Sequence, residues 1–70
     1  MSVPQSELET YIARAEERFA ADLRPEVAAL FAGYRELCER FAAELGDARD
    51  VAVSRAAALM LIQTRAKAAA

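Results

Sequence analysis

Apolar positions recur along this chain at helical strides through its first two thirds and then lose their sidedness. From Leu8 the series Leu8, Ile12, Ala15, Phe19 and Leu23 advances by four, three, four and four residues, with Tyr11 on its flank. One face of a 3.6-residue turn presents such a row, and it predicts a first helix over 7–23 whose narrow stripe meets a single groove. A second series, Val27, Phe31, Tyr34, Cys38, Phe41 and Leu45, alternates strides of four and three, and Leu30 and Leu37 widen it. At 100° per residue these side chains cover an arc of roughly 120°, wide enough to touch two neighbours. The second helix is predicted over 25–45. The stretch "VAVSRAAALMLIQT", residues 51–64, holds one charge, Arg55, and apolar side chains that point nearly all the way round a helix. One face of this third helix, predicted over 48–67, carries Ala48, Val51, Ala52, Ala58, Leu59, Ile62 and Ala66 and suits the grooves left by the other two. Val53 and Met60 project away from that face and Leu61 lies to one side. The alternation at Val51 and Val53 is too brief to read as a strand among so many alanines.

The boundaries follow from local chemistry. Residues 1–5, with Pro4 and no periodic pattern, are expected to form a disordered arm. Ser6 with Glu9 three positions later fits the reciprocal capping arrangement of a helix start. Pro25 has no amide hydrogen and disfavours the helical region for Arg24, so the first helix should stop near Leu23 and Pro25 should open the second; one helix kinked at Pro25 is the alternative. Gly46 is expected to supply the left-handed residue after a helix end, and Asp47 with Asp50 a cap and negative first turn for the third helix. Residues 68–70 are expected to fray. The fold class is therefore all-α: a small three-helix up-down-up bundle in one helical domain, residues 6–67. Its expected core is Leu8, Ile12, Phe19, Val27, Phe31, Tyr34, Cys38, Phe41, Leu45, Leu59 and Ile62.

Length turns this pattern into a functional expectation. A chain of 70 residues hides only about 60% of its unfolded surface on folding, and folds of this size commonly draw extra stability from disulfides, a metal or association. Its one cysteine, Cys38, and the absence of histidine leave no internal disulfide and remove the commonest zinc ligand. Association remains, with a copy of itself or another protein. The outer face of the third helix is the expected partner interface: Val53, Ala57, Met60 and Leu61, with Ala56, Ala57 and Ala58 allowing close backbone approach and Arg55 available for a partner-directed salt bridge. Arg55 has a second reading, a stem along the core edge with its guanidinium on water or a carboxylate. Arg65 and Lys67 suit the negative end of the helix dipole.

Other chemistry is weakly represented. The charge-poor run of 14 residues is shorter than the ~20 a membrane helix needs, and "MSVPQSELE" has neither the basic nor the apolar region of a secretory signal, so a cytoplasmic protein is expected. A net charge of −2 provides no basic field for nucleic acid. Alanine at 18 positions, with eight arginines to one lysine, favours helix and fits a GC-rich bacterial genome or its mobile elements. Cys38 reads as core, since burial raises a thiol pKa and no histidine activates it. Glu36 and Glu39 lack the histidines of a helical metal site, and Glu36 with Arg40 reads as a surface ion pair. The stretch "FAAELGDARDVAVSRAAALM" resembles a helix-turn-helix, with Leu-Gly ahead of a Ser-Arg that would open a recognition helix, and the resemblance implies a DNA-binding regulator using the C-terminal helix. Seven residues separate Gly46 from Ser54, more than a tight turn takes, and Ala, Leu and Met read no base edge beyond a thymine methyl. No nucleophile with a base is present, and an alanine-filled bundle is expected to lack a cavity of ~300 Å³. The sequence reading is a non-enzymatic association domain without cofactor, a small homo-oligomer serving as an accessory or regulatory factor; a DNA-binding regulator and an adaptor or inhibitor of another protein are the alternatives.

Overall fold

The computed structural model describes residues 3–68, and these form three helices: α1 (Gln5–Ala21), α2 (Pro25–Glu44) and α3 (Ala48–Ala68). Helix α3 packs against both others, while α1 and α2 touch each other less. The bundle is a slab with extents of 33 × 25 × 18 Å. With helices about 10–12 Å across including side chains, a slab that thin leaves each helix a face with no helix over it.

Proline sets two of the boundaries. Pro4 sits at the N-cap of α1 with φ −58° and ψ 144°, and its carbonyl takes the amides of Glu7 and Leu8 at 3.0 and 3.2 Å. The helix thus begins a residue before Ser6, and no side chain caps it; the expected Ser6–Glu9 box does not form, because the proline has already set the entry geometry. Pro25 opens α2 as its first residue, as its missing amide hydrogen requires, and the chain is broken there rather than kinked. Between them Asp22 takes the Arg24 amide at 3.0 Å and its Nε and Nη2 at 3.1 and 2.9 Å. That clasp ends α1 at Ala21 and turns Leu23 outward at 94% exposure, so Leu23 is not part of the α1 stripe.

Gly46 does not adopt the expected left-handed conformation, since no described residue has positive φ. Helix α2 ends instead on an extended Leu45, φ −99° and ψ 123°, whose amide reaches Phe41. Asp47 caps α3 as its type predicts, accepting the Arg49 and Asp50 amides at 2.8 and 3.2 Å. The expectations for residues 1, 2, 69 and 70 lie outside the described residues; Gln5 and Ala68 are helical rather than part of an arm or a frayed end.

The buried core is Ile12, Ala15, Phe19, Val27, Tyr34, Ala52, Ala56, Leu59, Ile62 and Ala66. Leu8, Phe31 and Cys38 pack at its edge, half-buried, as do Tyr11, Leu30 and Ala58. Phe31 stacks on Tyr34 at 5.7 Å between ring centres and meets Phe19 of α1 at 6.3 Å, the spacing at which aromatic pairs attract. Phe41 and Leu45 are half-buried and stand outside this core, contrary to the reading of the α2 stripe. The reason lies at that end of the bundle, where Ala13, Ala42, Ala48 and Ala52 line an open hollow of ≈ 490 Å³. Methyl groups do not fill the space between helices that larger side chains would close. The expectation that alanine leaves no such cavity is corrected on the same ground.

Candidate interaction surface

Helix α3 presents two faces of different character. Inward, Ala52, Ala56, Leu59, Ile62 and Ala66 are buried. Ala56 therefore belongs to the core, where its small side chain lets the helices approach, and not to the outer face assigned to it from sequence. Outward, Val53, Met60 and Leu61 remain 46%, 56% and 63% exposed, and Ala57 between them is exposed too. Scattered surface hydrophobics are ordinary; three large ones on the outer side of one helix, with the exposed Ala57 between Val53 and Met60, concentrate apolar surface where an interaction surface would.

Leu61 also walls a cleft of ≈ 330 Å³ between α2 and α3, lined chiefly by Leu30, Gly33, Leu37, Ala58 and Ile62 with Arg65 at one end. Leu37 and Gly33 were not assigned to any surface from sequence, and the signal for them is Gly33 itself, a glycine within a helix. A Cβ built on Gly33 meets nothing within 4 Å, so intramolecular packing does not require its absence. Replacing Gly33 with alanine is expected to stabilise the fold by roughly 0.5–1 kcal/mol, the helix-interior difference between the two residues. Urea unfolding of the variant measures it; a loss of stability would mean that the cleft floor packs more tightly than its open space implies.

Arg55 is engaged within its own chain. Its Nη2 meets Glu16 Oε2 at 2.5 Å and its Nε donates to the Tyr34 hydroxyl at 3.4 Å, while that hydroxyl donates to the same Glu16 oxygen at 2.5 Å. One residue from each helix thus joins a single polar knot at the core edge. This is the arrangement of a stem along the core edge with its head on a carboxylate, the second of the two readings of Arg55. Glu16 was unread from sequence although it carries a signal: it lies four after Ile12 and three before Phe19, an acid on the apolar stripe. Burial pushes the Tyr34 phenol well above the ordinary tyrosine range, with Cys38 and Glu16 acting in the same direction and Arg55 against them. Arg55 is itself raised, first by its bond to Tyr34 and further by Glu16, against the opposing effect of burial. Tyr11 adds a weaker link between α1 and α3, donating to Gln63 Oε1 at 3.4 Å.

Other chemistry finds little support in the geometry. Among the described residues no three acidic or cysteine side chains converge on a possible metal position, and no helix is long and apolar enough to cross a membrane. Ser54 and Arg55 lie inside the continuous helix α3 rather than at the start of a recognition helix, and the arginine is engaged within its own chain. No protein-family model matches this chain, and no curated protein or solved structure is significantly similar to it.

Proposed function

We propose that this chain is a non-enzymatic association domain, a small cytoplasmic homo-oligomer acting as an accessory or regulatory factor, and that it works by covering the outer face of α3. The observation that carries this reading is the exposure of Val53, Met60 and Leu61 together on a bundle too thin to shield them. At ~25 cal/mol per Å² of apolar surface, burying the exposed parts of six such side chains in a dimer contributes on the order of 10 kcal/mol. Association costs about 4–15 kcal/mol in lost freedom. The balance favours a dimer in the micromolar range or weaker rather than an obligate one.

The test is sedimentation of the chain from micromolar to several hundred micromolar. The wild type is expected to move from the 7.6 kDa chain mass toward a multiple of it, and Met60→Asp to stay at the chain mass with unchanged helical circular dichroism. A wild type that remains monomeric over that range, or a Met60→Asp variant that associates equally well, overturns the reading.

A further inference from the structure

We infer that the occupant of this face is the α3 of a second copy, lying antiparallel across a two-fold axis; this deepens the reading above and rests on it. Along the outside of α3 a row of six exposed residues, Asp50, Val53, Ala57, Met60, Thr64 and Lys67, advances by three, four, three, four and three. This is the stride of a helix-pairing seam. The row reads the same way from either end in its chemistry: an ion, a branched side chain, then a small and a long residue at the centre.

Antiparallel apposition about the middle of the row sets Ala57 against Met60 of the partner subunit, Val53 against the partner's Thr64, and Asp50 against the partner's Lys67. Each pair occurs twice by symmetry, as an isologous contact requires. The central pair places the longest side chain of the row over its smallest, the large-against-small alternation by which facing positions interdigitate. Thr64 is suited to an apolar neighbour because its hydroxyl already donates to the Met60 carbonyl at 3.1 Å, leaving its methyl free to face Val53. Asp50 and Lys67 form no ion pair among the described residues, where the pairs are Arg24–Asp22 and Arg55–Glu16.

Charge selects the direction. The first turn of α3 is acidic and its last turn basic, and Asp47 extends the negative end. A parallel pair would set Asp50 against Asp50 and Lys67 against Lys67, whereas the antiparallel pair brings each acid to a base and opposes the two helix dipoles. Arg49 is the one cation at the acidic end, and it is half-buried rather than on the row. Leu61 lies beside the row, and the two-fold places both copies of it on one side, over the α2–α3 clefts.

Charge reversal read by sedimentation at low salt tests the register. Asp50→Lys and Lys67→Asp are each expected to weaken self-association about tenfold, because each turns two attractive surface pairs repulsive. Mixing the two variants is expected to restore wild-type affinity, since both cross-pairs in the mixed dimer are again opposite in sign. Each reversal also opposes its own helix dipole, but recovery on mixing leaves that penalty in place and so reports the contact between chains alone. Unchanged affinity in the single variants, with Met60→Asp still dissociating the dimer, overturns the antiparallel register while leaving association through α3 standing. A monomeric wild type overturns both.

Discussion

Leu59→Ala is expected to cost this protein more stability than any other single truncation of its core. Leu59 is fully buried at the middle of α3, the helix that packs against both others, so truncating it opens a void on the side of each neighbour. Leucine-to-alanine changes at such sites cost ~2.7–5 kcal/mol, the larger values where the surroundings cannot collapse. A domain of this length has roughly 3.5–10 kcal/mol in total, at about 0.05–0.15 kcal/mol per residue. The loss therefore ranges from about a quarter of the stability to all of it, and at the lower end of total stability the chain unfolds. Leu61→Ala is the contrast: the same chemistry one turn-fraction away, with the side chain largely in water, expected to change monomer stability by about 0.5 kcal/mol or less. Urea unfolding followed by circular dichroism, at a concentration where the chain is monomeric, gives both numbers. Equal costs for the two leucines would mean that α3 is rotated about its axis from the orientation described.

That orientation was only partly legible in the sequence. For α1 and α2 the apolar strides name the buried side directly: Ile12, Ala15, Phe19, Val27 and Tyr34 are all buried. For α3 the residues are apolar in nearly every direction, and alanine, the residue that decides how near two helices come, suits either side. Ala56 and Ala57 were indistinguishable by type, and packing sends one inward and leaves the other outside. Boundaries failed where backbone conformation overrode residue preference, at Pro4, which starts α1 ahead of Ser6, and at Leu45, whose extended conformation replaces the turn that Gly46 could have made. Among the surface residues, the exposed apolar group was readable because exposure followed from having too few partners in a short chain. Gly33 and Leu37 were not, because a cleft belongs to two helices at once and no single stride reveals it. Glu16 is marked by its place on the apolar stripe of α1, but its partners, 18 and 39 residues away in sequence, are brought to it only by the fold.

The knot that Glu16 forms with Tyr34 and Arg55 supplies the second large effect. Arg55→Ala is expected to cost about 1.5–3 kcal/mol, the range for hydrogen bonds involving a charged group, because it leaves a half-buried carboxylate with one protein donor instead of two and removes a stem that covers apolar surface. Arg55→Met keeps the stem and loses the charge, so the difference between the two variants separates packing from electrostatics. Tyr34→Phe is gentler at neutral pH, about 1 kcal/mol, since the ring still fills its site and Arg55 still holds Glu16. Its larger consequence lies in alkali. The unfolded chain releases the Tyr34 proton near pH 10, while burial keeps the phenol protonated to a higher pH in the folded chain. The stability linked to that proton is complete below pH 10 and falls as pH rises above it, by about 1.4 kcal/mol per pH unit while only the unfolded state ionises. Between pH 9.5 and 11.5 the wild type should therefore lose roughly 2 kcal/mol more than Tyr34→Phe, measured by urea unfolding at each pH. Parallel pH curves for the two proteins would show that the Tyr34 hydroxyl is open to water and that the three helices are not tied together through it.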